Sequence, residues 1–337
     1  MLEGSFFHEL DHQQLQQTVD ARTALVALGK VRHDLRAYRG SLFWRNINGA
    51  DYLIRTTPKG EQKSLGPKTD ENSLAVDRFN EEKAKLASRE SKLAKAVKMH
   101  EKINRVLQVG QAPAILVKTL KAFRTAGLQD YFMVVGTHAL YAYGAAVGVH
   151  FDVETRATLD VDFLYDTRRH AKFVAHMRAS DQSLIGILRK VDKSFSLVDD
   201  RPYTAINDTG FEIDIVRRVA NGTADPHPLR MSEDEDDFWA AQISLGETLL
   251  GAGRIEQVVF AVNGEMALMP TIRPDAFVKT KRVLSALPNR DPLKARKDRR
   301  QADVVESLID EYWPQYAVGH DKDGEEATPT GRDRPRG

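Results

Sequence analysis

At 337 residues the chain is long enough for two units with separate cores, and 42% hydrophobic with 29% charged residues is the composition of a folded protein, which excludes a disordered or collagen-like polypeptide. Lys plus Arg (49) nearly cancels Asp plus Glu (48), so no overall positive field points to nucleic acid, although local patches can still bind it. The lack of cysteine removes a disulfide framework, a thiol nucleophile and a Cys-ligated zinc site together, so any metal must be held by oxygen or imidazole.

The first residues carry neither a basic leader nor a long apolar run, and no run of ~18 apolar residues occurs anywhere, so no membrane is expected as a partner and the default location is the cytoplasm. Residues 8–37 show helical spacing without proline and predict one long helix or two short ones. Within them "HELDH" at 8–12 matches the H-E-x-x-H zinc-protease pattern, but no sheet precedes it and no third ligand is evident, so a solvated first turn is preferred. Two runs rich in aromatic and β-branched residues then flank Asn48-Gly49 and predict a hairpin, with a third strand at 61–66. Lysines there can bind nucleic acid or guard a sheet edge against aggregation, and the second reading is preferred. From 76 to 107, Leu86, Leu93, Ala96, Ile103 and Leu107 fall on one stripe of a Lys/Glu/Ala-rich segment. That predicts a long, mostly solvated helix whose stripe folds back on its own unit or dimerises.

Near residue 111 the composition changes. The pattern predicts a helix at 114–127, a buried strand at 131–136, a small-residue helix at 137–148 and a strand at 158–166. Helices at 167–179 and 183–191 and short strands at 194–198, 203–207 and 211–217 follow. A strand-like stretch at 257–269 precedes Pro270 and Pro274, and helices at 274–287 and 293–312 close the chain. The fold expected is α+β, a mixed sheet flanked by helices with a C-terminal helical segment. Residues 1–110 should carry the N-terminal helix, hairpin and long helix, 111–317 the second unit, and 318–337, almost devoid of apolar residues, a disordered tail.

Alternation along a strand puts Asp160 and Asp162 on one side of 158–166, with Leu159, Val161 and Phe163 on the other. Carboxylates ~7 Å apart repel each other, and a hard divalent cation is the simplest neutralising partner. Taken alone, an Asp-x-Asp at a strand end is more often a solvated turn or an Arg-paired acid. In 211–217 Glu212 and Asp214 repeat the pattern, and Gly136 with Thr137 at a strand-to-helix junction offers amides and a hydroxyl to an anion. Thr is also a common cap with no further role.

The order of strand, Gly-Thr, helix, Asp-x-Asp strand and later acidic strand resembles the DNA polymerase β-like nucleotidyltransferase superfamily. More closely, "VVGTHALYAYGAAVGVHFD", "TLDVDFLYD", "FEIDIV" and "KARKDRRQA" look like a bacterial group of nucleotidyltransferase-fold proteins related to abortive-infection nucleotidyltransferase toxins. The resemblance spans about 111 to 315, and the N-terminal hairpin and long helix are similar to what precedes the catalytic domain in that group. It implies that Asp160, Asp162 and Asp214 hold Mg²⁺ (or Mn²⁺). It further implies that Asp214 orients or deprotonates the acceptor hydroxyl, that Gly136 and Thr137 hold nucleotide phosphates, and that Lys281 and Lys297-Asp298 match a phosphate-contacting segment. The substrate implied is an NTP and the acceptor RNA, protein or a small molecule, with a cognate regulatory protein as a candidate partner.

The Gly136-to-Asp160 gap is longer than in compact members, the turn is Gly-Thr, and Gln301 stands where some toxins have a second acid. A catalytically degenerate nucleotide- or nucleic-acid-binding module is therefore the competing reading, and a metallonuclease the third. His138 can touch the nucleotide or simply pack; Tyr141, Tyr143 and Phe151 can stack a base but are more often core; the basic run Arg290–Arg300 can grip phosphate or lie solvated.

Overall fold

The computed structural model describes residues 6–58, 60–222, 225 and 227–317, so the expected tail at 318–337 lies outside the described residues. The chain does not open on a helix at residue 8. β1 (Phe7–Glu9) comes first, and α1 (His12–Leu35) begins only after Asp11. The Asp11 side chain accepts from the Gln14 amide at 2.8 Å, and the Gln14 side chain accepts from the Asp11 amide at 2.9 Å. This capping box fixes the helix start. It also divides "HELDH" between a strand and a helix terminus, so His8 and His12 are not one helical turn apart.

After α1, β2 (Ser41–Ile47), β3 (Ala50–Thr56) and β4 (Gln62–Pro67) form an antiparallel three-stranded sheet. Asn48 and Gly49 have φ of 52° and 87°, the positive values a two-residue hairpin turn of this hand requires. α2 (Asp70–Val106) starts at Thr69, whose side chain accepts from the Asn72 amide, and runs back antiparallel to α1: Arg32 pairs with Glu90 at one end and Gln17 with Asn104 at the other.

The remaining elements are α3 (Ala114–Thr125), β5 (Phe132–Val135), α4 (Leu140–Val147), β6 (Val149–Phe151), α5 (Val153–Arg156), β7 (Asp160–Tyr165), α6 (His170–Ser180) and α7 (Leu184–Val191). β8 (Ser196–Val198), β9 (Arg201–Ile206), β10 (Glu212–Arg218), β11 (Ala241–Ile243), α8 (Gly246–Gly251), β12 (Arg254–Phe260), β13 (Met266–Ile272), α9 (Pro274–Ser285) and α10 (Pro292–Tyr312) complete them. The main sheet is mixed, in the order β12-β13-β5-β7-β10-β9-β8, with β11 parallel to β10. β7 and β10 are parallel at its centre; β5 and β9 flank them antiparallel. The fold is α+β, a mixed sheet flanked by helices and closed by α9 and α10. Phe123 of α3 packs 5.0 Å from Phe163 of β7, which places the main core on the side of the sheet opposite the acids.

Residues 257–269 are not one strand. They fold as the hairpin β12/β13, turning at Asn263-Gly264, where Gly264 has φ +86°. A Cβ at Gly264 would stand 2.0 Å from the Glu101 carbonyl oxygen, so this turn presses directly on α2. Buried Asn104 accepts from Gln17 at 2.7 Å and donates to the Gly264 carbonyl at 3.1 Å. Ala21, Ala24, Leu28 and Val97 pack with Val258, Phe260 and Met266 around it, joining both N-terminal helices to the outer hairpin of the sheet. β1 adds a second tie through its pairing of Phe7 with Phe151. Asn104→Ala strands the Gly264 carbonyl and leaves the Gln17 amide only its longer contacts to His100 at 3.2 and 3.3 Å; we expect it to cost about 2 kcal/mol, measured by chemical denaturation.

Candidate active site

β7 and β10 run parallel and in register, so Asp160 lies opposite Glu212 and Asp162 opposite Asp214. The intervening Val161, Phe163, Ile213 and Ile215 are at most 1% exposed, and the four acids occupy the other face. Leu159, expected among the apolar positions, precedes the strand and is 64% exposed. Adjacent strands lie ~4.8 Å apart, so Asp162 is closer to its cross-strand neighbour Asp214 than to Asp160 on its own strand. Burial first, then Asp214 and Asp160, push the half-buried Asp162 carboxyl up to about 7, against the pull of Lys281 and Arg290. Burial also raises the pKa of Asp214, opposed by the Thr204 hydroxyl, which donates to its Oδ1 at 2.6 Å. Asp160 accepts from the Thr158 hydroxyl. Glu212 is different: both terminal nitrogens of Arg201 hold it at 3.1 Å, so it is an Arg-paired acid.

Gly136 follows β5 directly, where Val135 pairs with Asp162. Its φ is +69°, and a Cβ there would lie 2.7 Å from Asp162 Oδ2, so backbone and space both demand glycine. Residues 136–139 make one tight turn leading into α4. Thr137 does not cap that turn; its hydroxyl accepts from Gln301 Nε2 at 3.1 Å, and the same amide donates to the Thr155 carbonyl at 2.7 Å. Thus α10 holds the turn through the residue that replaces a second acid. His138 is fully buried between the rings of Tyr141 and Phe211. It approaches the Asp160 main chain without a hydrogen bond of good geometry, and burial depresses its pKa to about 4, so it is a neutral, packed residue. Tyr143 and Phe151 are likewise core, the Tyr143 hydroxyl donating to the Ile272 carbonyl at 3.0 Å.

Cations line the side facing α9 and α10. Lys281, 6% exposed, donates to Asp298 Oδ1 at 2.7 Å, and Arg290 reaches Asp298 Oδ2 at 2.7 Å, so one buried acid sets both. Lys279 is exposed, as expected of the opposite helix face. Lys297 donates to the Ala157 carbonyl at 2.7 Å; burial and then Lys281 lower its pKa. Arg300 pairs with Asp152 and Glu154, whereas Lys294, Arg296 and Arg299 are exposed. The basic run is therefore partly structural and partly solvated.

Among the described residues, no three carboxylates or imidazoles already close into a metal cluster. The donor chemistry still fits a hard divalent ion. Asp160, Asp162 and Asp214 offer only oxygen, the described residues place no Lys or Arg in an ion pair with them, and Asp162 is held up by burial and then by the like charges of Asp214 and Asp160, which a cation would relieve.

A family model described as nucleotidyltransferase matches residues 115–323, more than half of the chain and all of the elements just described from α3 to α10. The chain belongs to this nucleotidyltransferase family. Searches of curated proteins and of solved structures returned no match. Sequence reasoning missed two groups that hold the acids of this nucleotidyltransferase in place. Thr204 and Arg201 reach Asp214 and Glu212 only through the β9–β10 pairing, and nothing local in "RPYTAI" signals it.

Because the folded-state pKa of Asp162 lies above that of the unfolded chain, ionising it costs stability progressively as pH rises toward and through about 7. In the metal-free protein, Asp162→Asn should be more stable than the parent by ~1 kcal/mol or more at pH 8, with the gap narrowing toward pH 5; denaturation curves at both values check this. Gly136→Ala should lose about 1–3 kcal/mol from the strained φ and the clash with Asp162, read as a lowered Tm.

Proposed function

We propose that the chain is a metal-dependent nucleotidyltransferase, moving a nucleoside monophosphate from an NTP to a hydroxyl of RNA, protein or a small molecule. The observation that carries this reading is the register that sets Asp162 beside Asp214, one strand from the Gly136–Thr137 turn. Asp160, Asp162 and Asp214 would hold Mg²⁺ (or Mn²⁺), which when bound neutralises triphosphate charge and activates the acceptor hydroxyl.

The chain's own residues account for the rest. The amides opening the turn at Gly136 and Thr137 lack intrahelical acceptors and would bind phosphate oxygens, with Lys281 and Lys297 supplying positive charge beside them. Thr204 occupies Asp214 Oδ1, which leaves Oδ2 to orient the acceptor hydroxyl or take its proton. The acceptor oxygen forms a bond to the α-phosphorus, the α–β phosphoanhydride bond breaks, and pyrophosphate leaves. The nucleotidyltransferase unit proposed is 111–317, with 1–110 as an added N-terminal unit. The family resemblance suggests a toxin or phage-defence role and a cognate regulatory protein, and a cytoplasmic location is proposed from the sequence; among the described residues no helix is long and apolar enough to cross a membrane.

Incubation with Mg²⁺, each α-labelled NTP and total RNA or cell extract should label an acceptor, and Asp160→Ala or Asp162→Asn should reduce labelling by at least a hundredfold. Mg²⁺ or Mn²⁺ should raise the Tm of the parent and leave that of Asp162→Asn unchanged. Loss of RNA without added NTP would instead identify a nuclease, and no transfer with any NTP would favour a binding module.

A further inference from the structure

The N-terminal sheet stands at the end of an arm. α2 is fixed to the catalytic sheet at Asn104, and the β2–β4 sheet is fixed to α2 around Phe79, over which the Arg55 guanidinium lies at 4.7 Å. Arg55 also donates to the Ala37 and Arg39 carbonyls, and Lys83 of α2 donates to the Gly40 carbonyl, so the sheet is seated on α2 and on the turn that follows α1. The helical path from Asn104 to Phe79 is ~37 Å at 1.5 Å per residue. No mononucleotide spans such a distance; a polynucleotide does so in roughly a dozen stacked nucleotides at ~3.4 Å each.

The chemistry of the tip is unlike that of the rest of the chain. Residues 36–69 hold seven Lys and Arg against two acids, a net +5 within a protein of net +1. Arg36, Arg39, Arg45, Lys63 and Lys68 are exposed. Cross-strand register places Phe43 beside Ile54 and Arg45 beside Tyr52, on the face opposite the one where Arg55 meets α2. On that face Arg45 lies 5.5 Å over Phe43, a cation set beside an aromatic ring; Lys68, 5.6 Å over Trp44, makes a like pair on the other face. Guarding a sheet edge needs a lysine or two; it calls for neither these rings nor a distant arm.

We propose that this sheet is an RNA-binding platform, on which Phe43 and Tyr52 stack unpaired bases while Arg39 and Arg45 bind phosphates of an acceptor RNA whose hydroxyl end lies at the carboxylates. The arrangement is that of single-strand recognition, aromatic faces for bases and a basic surround for the backbone. RNA as acceptor rests on the function proposed above; the binding surface itself does not.

The test uses the full chain, a fluorescent hairpin RNA with a single-stranded 3′ tail, and anisotropy titrations across salt concentrations. The double variant Arg39→Gln, Arg45→Gln should bind at least tenfold more weakly, with the slope of log K against log salt shallower by about 1 to 2. Its circular dichroism should be unchanged, and the Arg39→Lys, Arg45→Lys double variant should bind within about threefold of the parent. Unchanged affinity and slope in the Arg39→Gln, Arg45→Gln variant would overturn the proposal, as would equally tight binding of a DNA hairpin of the same sequence. Read without added metal or NTP, the titration reports the arm and not the carboxylates. RNA binding through the arm without any NTP labelling therefore sinks the transferase reading alone, and labelling with arm-independent binding sinks the platform alone.

Discussion

Two carboxylates on neighbouring strands, Asp162 and Asp214, are held closer than their charges favour, and much of the surrounding structure exists to keep them there. The cost is met by position: β7 and β10 are central and their alternate residues fill the core, so the register cannot slip by one residue without driving Val161, Phe163, Ile213 and Ile215 into solvent. Hydrophobic burial thus enforces an electrostatic arrangement that no local preference would choose. Glycine at 136 completes it, because any side chain there would displace the Asp162 carboxylate.

The opposing charge comes from the C-terminal helices, and it is ordered rather than diffuse. Asp298 fixes Lys281 and Arg290, Gln301 fixes Thr137, and Lys297 is tied to the Ala157 carbonyl. One face of α10 therefore sets the Gly136–Thr137 turn and the nearby cations together. Removing Asp298 would leave two cations close together with their shared counterion gone, so the helix serves as a template for the site as well as a cover.

Legibility in the sequence followed the range of the interaction. The Asn48-Gly49 hairpin was readable because two adjacent residues must take positive φ, and the acids were readable because a strand alternates with period two. Asn263-Gly264 carries the same signal as Asn48-Gly49, and that hairpin was legible too, though the stretch around it reads as a single strand; β13 continues through Pro270 to bond β5 at Thr271 and Val134. β1 and β6 are three residues each, too short for any period to show. That Asp162 would sit beside Asp214 and that Thr204 would hold the latter depend on pairings between segments 40 or more residues apart or across a turn, which no local pattern encodes.

The last helix also meets the first strand: the Tyr312 hydroxyl donates to Glu9 at 2.6 Å, and its ring packs edge-on against Phe7 at 6.0 Å. On the ribosome, the strands bearing the acids emerge well before the helix bearing Lys297, Asp298 and Gln301. A nascent chain can thus form its sheet while the cationic half of the site is still unmade. The site in this architecture is complete only once α10, the last α-helix among the described residues, has been made and packed against the sheet.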